Sequence, residues 1–123
     1  AGTILNPLLF DGQIHGGIVQ GVGQILMEDV NYDRESGQLV SASFMDYCMP
    51  RADDFCVFNI SAKEIPTARN PLGVKGVGES GTVGAMPALM NAVNDALNCA
   101  GAPTVEMPVT AEKVWRALGE IAA

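Results

Sequence analysis

The sequence predicts an α+β fold: a Gly-rich helix, short strands of a small mixed sheet, and two C-terminal helices. Three observations predict it. Ile14, Ile18, Val22, Ile25 and Leu26 recur at helical spacing across residues 11–29. Residues 39–44 and 55–62 alternate between apolar and polar like short strands. Two further apolar stripes, over residues 86–97 and 114–121, return to helical spacing.

The first helix carries Gly12, Gly16, Gly17, Gly21 and Gly23. A glycine inside a helix costs about 0.5–1 kcal/mol against alanine, so a row of them needs a compensating reason. Close approach of another backbone or of a ligand supplies one, and the segment reads as a tightly packed buried helix. Residues 32–38 (YDRESGQ) form a turn into the first strand, and residues 49–54 (MPRADD) break it. The second strand, residues 55–62, places Cys56, Phe58 and Ile60 on one face. Pro66 and Pro71 make residues 65–71 a loop. Met86, Leu89, Met90, Val93 and Leu97 then form a helical stripe that Gly101 ends, with Pro87 expected in its first turn. Thr110 is placed to cap the last helix, Glu112 lies in its first turn, and Val114, Trp115, Leu118 and Ile121 line it. Two short strands are too few to complete a sheet.

At 123 residues the chain is expected to be one domain spanning 1–123. Hydrophobic residues at 48% and charged residues at 17% fit a globular chain rather than a disordered one. A net charge of −7, with the basic residues scattered, argues against nucleic acid and against anionic membrane surfaces. Cys48, Cys56 and Cys99 are far apart and form no CxxC, so neither a zinc nor an iron–sulfur site is signalled. No apolar run approaches a membrane span and no signal peptide opens the chain, which makes the cytoplasm the expectation. Opening at Ala1-Gly2-Thr3 and running at once into the Gly-rich helix reads as a cut through a larger protein, although a processed N-terminus would look the same.

The densest chemistry lies in residues 71–84, PLGVKGVGESGTVG. Glycines let backbone N–H groups face a ligand, a following helix N-terminus favours an anion, and Lys75 adds a positive charge. Gly76, Gly78 and Gly81 match GxGxxG, but a nucleotide-binding module would need a strand in front, and prolines stand there instead. Glu79 is either a solvated loop acid or a general base held close to its partner. A closed pocket would raise its pKa and the helix terminus would lower it. His15, the single histidine, reads as a packed or hydrogen-bonded residue rather than a metal ligand. Ser80 has no partner histidine for triad chemistry, and Gln13 and Gln20 are either surface residues or donors to a polar ligand. The residues alone thus define a Gly-lined polar site with one carboxylate and no metal-ligand set.

Residues 13–24 (QIHGGIVQGVGQ), followed by Lys75-Gly76-Val77-Gly78-Glu79, resemble the C-terminal part of the large subunit of molybdenum hydroxylases. This is the family of xanthine dehydrogenase, aldehyde oxidase and carbon monoxide dehydrogenase. The resemblance covers nearly the whole chain, and residues 43–47 (SFMDY) and 91–96 (NAVNDA) are most similar to the carbon monoxide dehydrogenase-like branch. It implies that Glu79 is the catalytic base beside molybdenum, acting on water-derived oxygen. It also implies that Gln13 hydrogen-bonds a molybdopterin-type cofactor and that Lys75, Gly76, Val77 and Gly78 wrap it. The implied substrate is an aldehyde, an N-heterocycle or carbon monoxide. The implied partners are the remainder of the large subunit and iron–sulfur and FAD subunits or domains, with a homodimer as one further arrangement. Because the family subunit is several times longer, this segment alone is expected to hold no cofactor and show no turnover. A non-catalytic interaction or assembly domain with the same fold is the alternative from another class.

Overall fold

A computed structural model gives the fold of residues 1–119. Three helices carry it: α1 (Pro7–Leu26), α2 (Ser80–Cys99) and α3 (Ala111–Gly119), with a single 3-10 turn at Ala52–Asp54. No strand or sheet forms among the described residues, which overturns the predicted α+β class and its small mixed sheet. The first predicted strand yields only an isolated antiparallel bridge, Tyr32 to Leu39, before residues 43–47 turn back on themselves. The second, residues 55–62, finds no neighbouring strand to pair with. Its alternation reports one-sided packing instead: Phe58 and Ile60 are half-buried while Cys56, Val57 and Asn59 are exposed. A strand is defined by its ladder partner, and period-2 hydrophobicity alone cannot supply one.

α1 and α2 start earlier than their apolar stripes suggest, and at α1 a cap rather than hydrophobicity sets the end. Asn6, in an extended conformation, accepts a hydrogen bond from the Leu9 N–H at 3.1 Å, and Pro7 sits at the first helical position. α2 begins six residues before Met86, so Pro87 lies inside the helix and not in its first turn. It leaves the Val83 carbonyl without its usual i+4 donor. Gly101, at φ +80°, ends α2 as expected: the Ala102 N–H reaches the Leu97 carbonyl at 2.9 Å and the Gly101 N–H reaches Asn98 at 3.0 Å. Thr110 Oγ1 accepts from the Lys113 N–H at 3.4 Å and caps α3. Val114 packs on Leu97, Ala102 and Ala117, but Trp115 is 73% exposed. Ile121 lies outside the described residues.

α1 and α2 cross through their small residues. A Cβ on Gly17 would meet the Thr82 nitrogen at 3.0 Å, and one on Gly81 would meet the Ile14 carbonyl oxygen at 2.7 Å. Gly21 faces the Ala85 methyl in the same way, at 2.8 Å. Gly17 and Gly21 of α1 therefore serve a helix–helix contact, which sets the start of α2 against the middle of α1. Gly12 and Gly16 point into open space and take no part in it.

Candidate functional site: the loop before α2

The close α1–α2 crossing brings the two halves of the sequence motif together. Gln13, on the second turn of α1, donates from Nε2 to the Gly78 carbonyl at 3.1 Å. Lys75, Val77, Gly78 and Gln13 line one side of a cleft of about 400 Å³, and Leu5 and Leu9 line another part of it. Glu79 does not line this cleft. It faces an adjoining open depression formed with Gly76, Ser80, Val83 and Gly84, so the loop is a ridge between two hollows.

Along this ridge the backbone N–H groups of Lys75, Gly76, Val77, Gly78 and Glu79 donate to no group among the described residues. The Cβ directions of Gly76 and Gly78 meet nothing within 4 Å. Lys75 is exposed and forms no ion pair among the described residues. Glu79 occupies the N-cap position of α2, but its carboxylate makes no capping hydrogen bond. Its carbonyl receives the Val83 N–H at 3.0 Å while the side chain stays exposed beside the helix start. The arrangement presents backbone donors, an amide and an ammonium to an anion, with a carboxylate directly adjoining.

Gln20 stands near this ridge without joining it, whereas the Ser80 N–H donates to the Val77 carbonyl at 3.1 Å. Gln20 Oε1 accepts from Thr82 Oγ1 at 3.3 Å, which ties α1 to the first turn of α2. His15 is packed as expected: Nδ1 donates to the Asp11 carbonyl at 2.9 Å and the ring tilts against Phe58 at 5.6 Å. Gly81, the last glycine of the GxGxxG match, is buried against α1 and faces no ligand. One residue escaped the sequence reading. Asn70 binds both polar groups of the Val74 backbone, donating from Nδ2 to the carbonyl at 3.0 Å and accepting from the N–H at 3.1 Å. An Asn-Pro pair ahead of a Gly-rich loop was the available signal, since asparagine side chains commonly bond a nearby backbone in turns.

Comparison with known proteins agrees with the motif. Residues 1–56 match the family model of a molybdopterin cofactor-binding domain. The chain is 47% identical over 116 residues to the nicotine 6-hydroxylase large subunit of Paenarthrobacter nicotinovorans, covering 94% of this chain and 14% of the relative. Quinoline 2-oxidoreductase from Pseudomonas putida 86 superposes with a TM-score of 0.88 at 42% identity, covering 97% of this chain and 15% of that one. The Cu,Mo-CO dehydrogenase structure superposes at 0.89 with 36% identity, over 98% of this chain and 15% of that one. This chain belongs to the molybdenum hydroxylase family and corresponds to part of its large subunit. It spans about one seventh of the relatives' length, at 14–15%. The relatives are oxidoreductases, and those named as large subunits belong to multi-subunit enzymes. Among the described residues no helix is long and apolar enough to cross a membrane.

Proposed function

We propose that the chain supplies one wall of the molybdenum cofactor site of a molybdenum hydroxylase, as the C-terminal segment of its large subunit. Gln13 and Lys75, Gly76, Val77 and Gly78 face the cofactor in this reading, and Glu79 is the base. The observation that supports it is the bond from Gln13 Nε2 to the Gly78 carbonyl, which joins two motifs far apart in sequence into one ridge of unpaired N–H groups. The donor set fits a molybdopterin group. Its dithiolene and phosphate are anionic and take N–H, amide and ammonium donors, and the open Cβ directions of Gly76 and Gly78 leave the backbone approachable. When bound, such a cofactor supplies the two-electron acceptor and the activation of water-derived oxygen.

The chain's own residues then have distinct tasks. Lys75 and the loop amides bind and orient, and the Gln13 amide keeps Gly78 turned so that the next residue starts α2. Glu79, unengaged in capping, is free to take a proton on its carboxylate as the carbon–oxygen bond forms. The substrate class favoured here is an aromatic N-heterocycle. Nicotine and quinoline both contain such a ring, and the two relatives named for them are more similar to this chain, at 47% and 42%, than the CO dehydrogenase structure at 36%. Partners in this reading are the rest of the large subunit and iron–sulfur and FAD subunits that carry the electrons away.

The test is metal content in the complete large subunit. Gln13→Ala and Gly78→Val should each lower molybdenum per folded subunit severalfold, with circular dichroism unchanged. Full molybdenum occupancy in both variants would contradict the reading and favour a non-catalytic assembly role.

A further inference from the structure

We propose that Asn70 is a positioning residue for the 75–79 loop, fastening it at Val74 while Gln13 fastens it at Gly78. The carboxamide of Asn70 satisfies the N–H and the C=O of Val74 together, and rotating the amide by a half-turn would set like groups against each other at both contacts. Asn70 is half-buried, and the turn behind it is also fixed. Gly73 has φ +68°, a conformation that disfavours side chains, and its carbonyl receives the Thr3 N–H at 3.0 Å and the Thr67 N–H at 3.1 Å. The fixed end of the loop is therefore Val74, and its other tie is the Gln13 bond at 3.1 Å. Between these ties Lys75, Gly76 and Val77 have no backbone donor engaged among the described residues. The loop is a strap held at two points with its donor edge free.

The same device occurs once more among the described residues. Asn94 binds both polar groups of Val105, at 3.2 Å to the carbonyl and 2.9 Å from the N–H, and joins α2 to the segment before α3. There it serves packing, beside Val93 and Val105 at the edge of the Leu97 cluster. At Asn70 no such cluster is present, and the segment it steadies is the one with unpaired donors. An unfastened loop would have to lose its backbone freedom on meeting an anion, an entropic cost at every residue ordered. A loop held at both ends has already lost most of it.

The fastening stands on the hydrogen bonds alone, whereas its consequence for the cofactor rests on the function proposed above. The experiment is amide hydrogen exchange together with molybdenum content, on the complete enzyme carrying Asn70→Ala or Asn70→Asp. Asn70→Ala should speed exchange at Val74, the loop amide that Asn70 Oδ1 accepts from, at least tenfold, leave the α1 and α2 amides unchanged, and lower molybdenum content severalfold. Asn70→Asp keeps an acceptor for the Val74 N–H but has no donor for its carbonyl, so it should fall between Asn70→Ala and the unsubstituted enzyme. That ordering also remains readable if Asn70→Ala fails to fold. Unchanged exchange at Val74, or an equal rise throughout α1 and α2, would overturn the proposal. Faster loop exchange with full molybdenum would sustain the role of Asn70 and contradict the assignment of the loop to the cofactor.

Discussion

The Tyr47 hydroxyl donates to Glu28 Oε1 at 3.0 Å and ties the segment after the Tyr32–Leu39 bridge back to the end of α1. The hydrogen bond to Glu28, then burial, then the carboxylate's charge raise the Tyr47 pKa above its ordinary value of 10.0. A raised folded-state pKa means that the contribution to stability is complete below about pH 10 and is lost as pH climbs through the higher folded value. Glu28→Gln should bring the Tyr47 phenol back down towards its ordinary value, as followed by the ring carbon shift of labelled tyrosine. An unmoved titration would show that the bond does not persist in solution. This contact, like the Asn70 clamp, was not legible in the sequence, because each depends on where a loop returns. Glu79 and Gln13 were legible, since their neighbours form motifs that a family resemblance can carry. The residues alone left Gln13 as either a surface residue or a donor to a polar ligand, and its exposed side chain donates from Nε2 to the Gly78 carbonyl.

At the scale of elements, small residues decide the α1–α2 crossing, and glycines inside and outside that contact respond oppositely to added bulk. Gly81→Ala places a methyl 2.7 Å from the Ile14 carbonyl and 2.9 Å from the Ile18 nitrogen, both backbone atoms of α1 that cannot swing away. The expected cost is about 1–3 kcal/mol, as for overpacking elsewhere. Gly16→Ala meets nothing within 4 Å. It should stabilise α1 by roughly 0.5–1 kcal/mol through the alanine helix preference. Urea denaturation of the two variants should therefore move in opposite directions, and a destabilised Gly16→Ala would place that glycine in the contact. The three helices were visible in the sequence as stripes, and the end of α2 as Gly101. The starts of α1 and α2 were hidden because Asn6-Pro7 and Glu79-Ser80 precede any apolar periodicity, whereas Thr110 marked the start of α3. The sheet was misread because residues 55–62 pack one face against α1 through Phe58 and pair with nothing among the described residues.

For the whole molecule, the surface leaves large apolar side chains and the 75–79 ridge open. Leu8, Met45 and Val57 are 81%, 92% and 89% exposed, and the ridge from Lys75 to Glu79 has a protein wall on one side only. A chain covering about one seventh of its relatives has this appearance when the rest of the subunit completes both the core and the pocket. The central claim, that Glu79 is the base of that completed site, has to be tested in the assembled enzyme. The measurement is the rate of substrate reduction of the enzyme, by stopped flow on protein of confirmed molybdenum content, for Glu79→Gln against the unsubstituted form. Glutamine keeps the size and hydrogen bonding of the side chain but cannot accept the proton, and general-base catalysis is worth about 10²–10⁴-fold. Normal molybdenum content and a reduction rate lower by that factor are expected. A variant with full molybdenum and a rate within about threefold, roughly 0.7 kcal/mol of barrier, would contradict that role for Glu79.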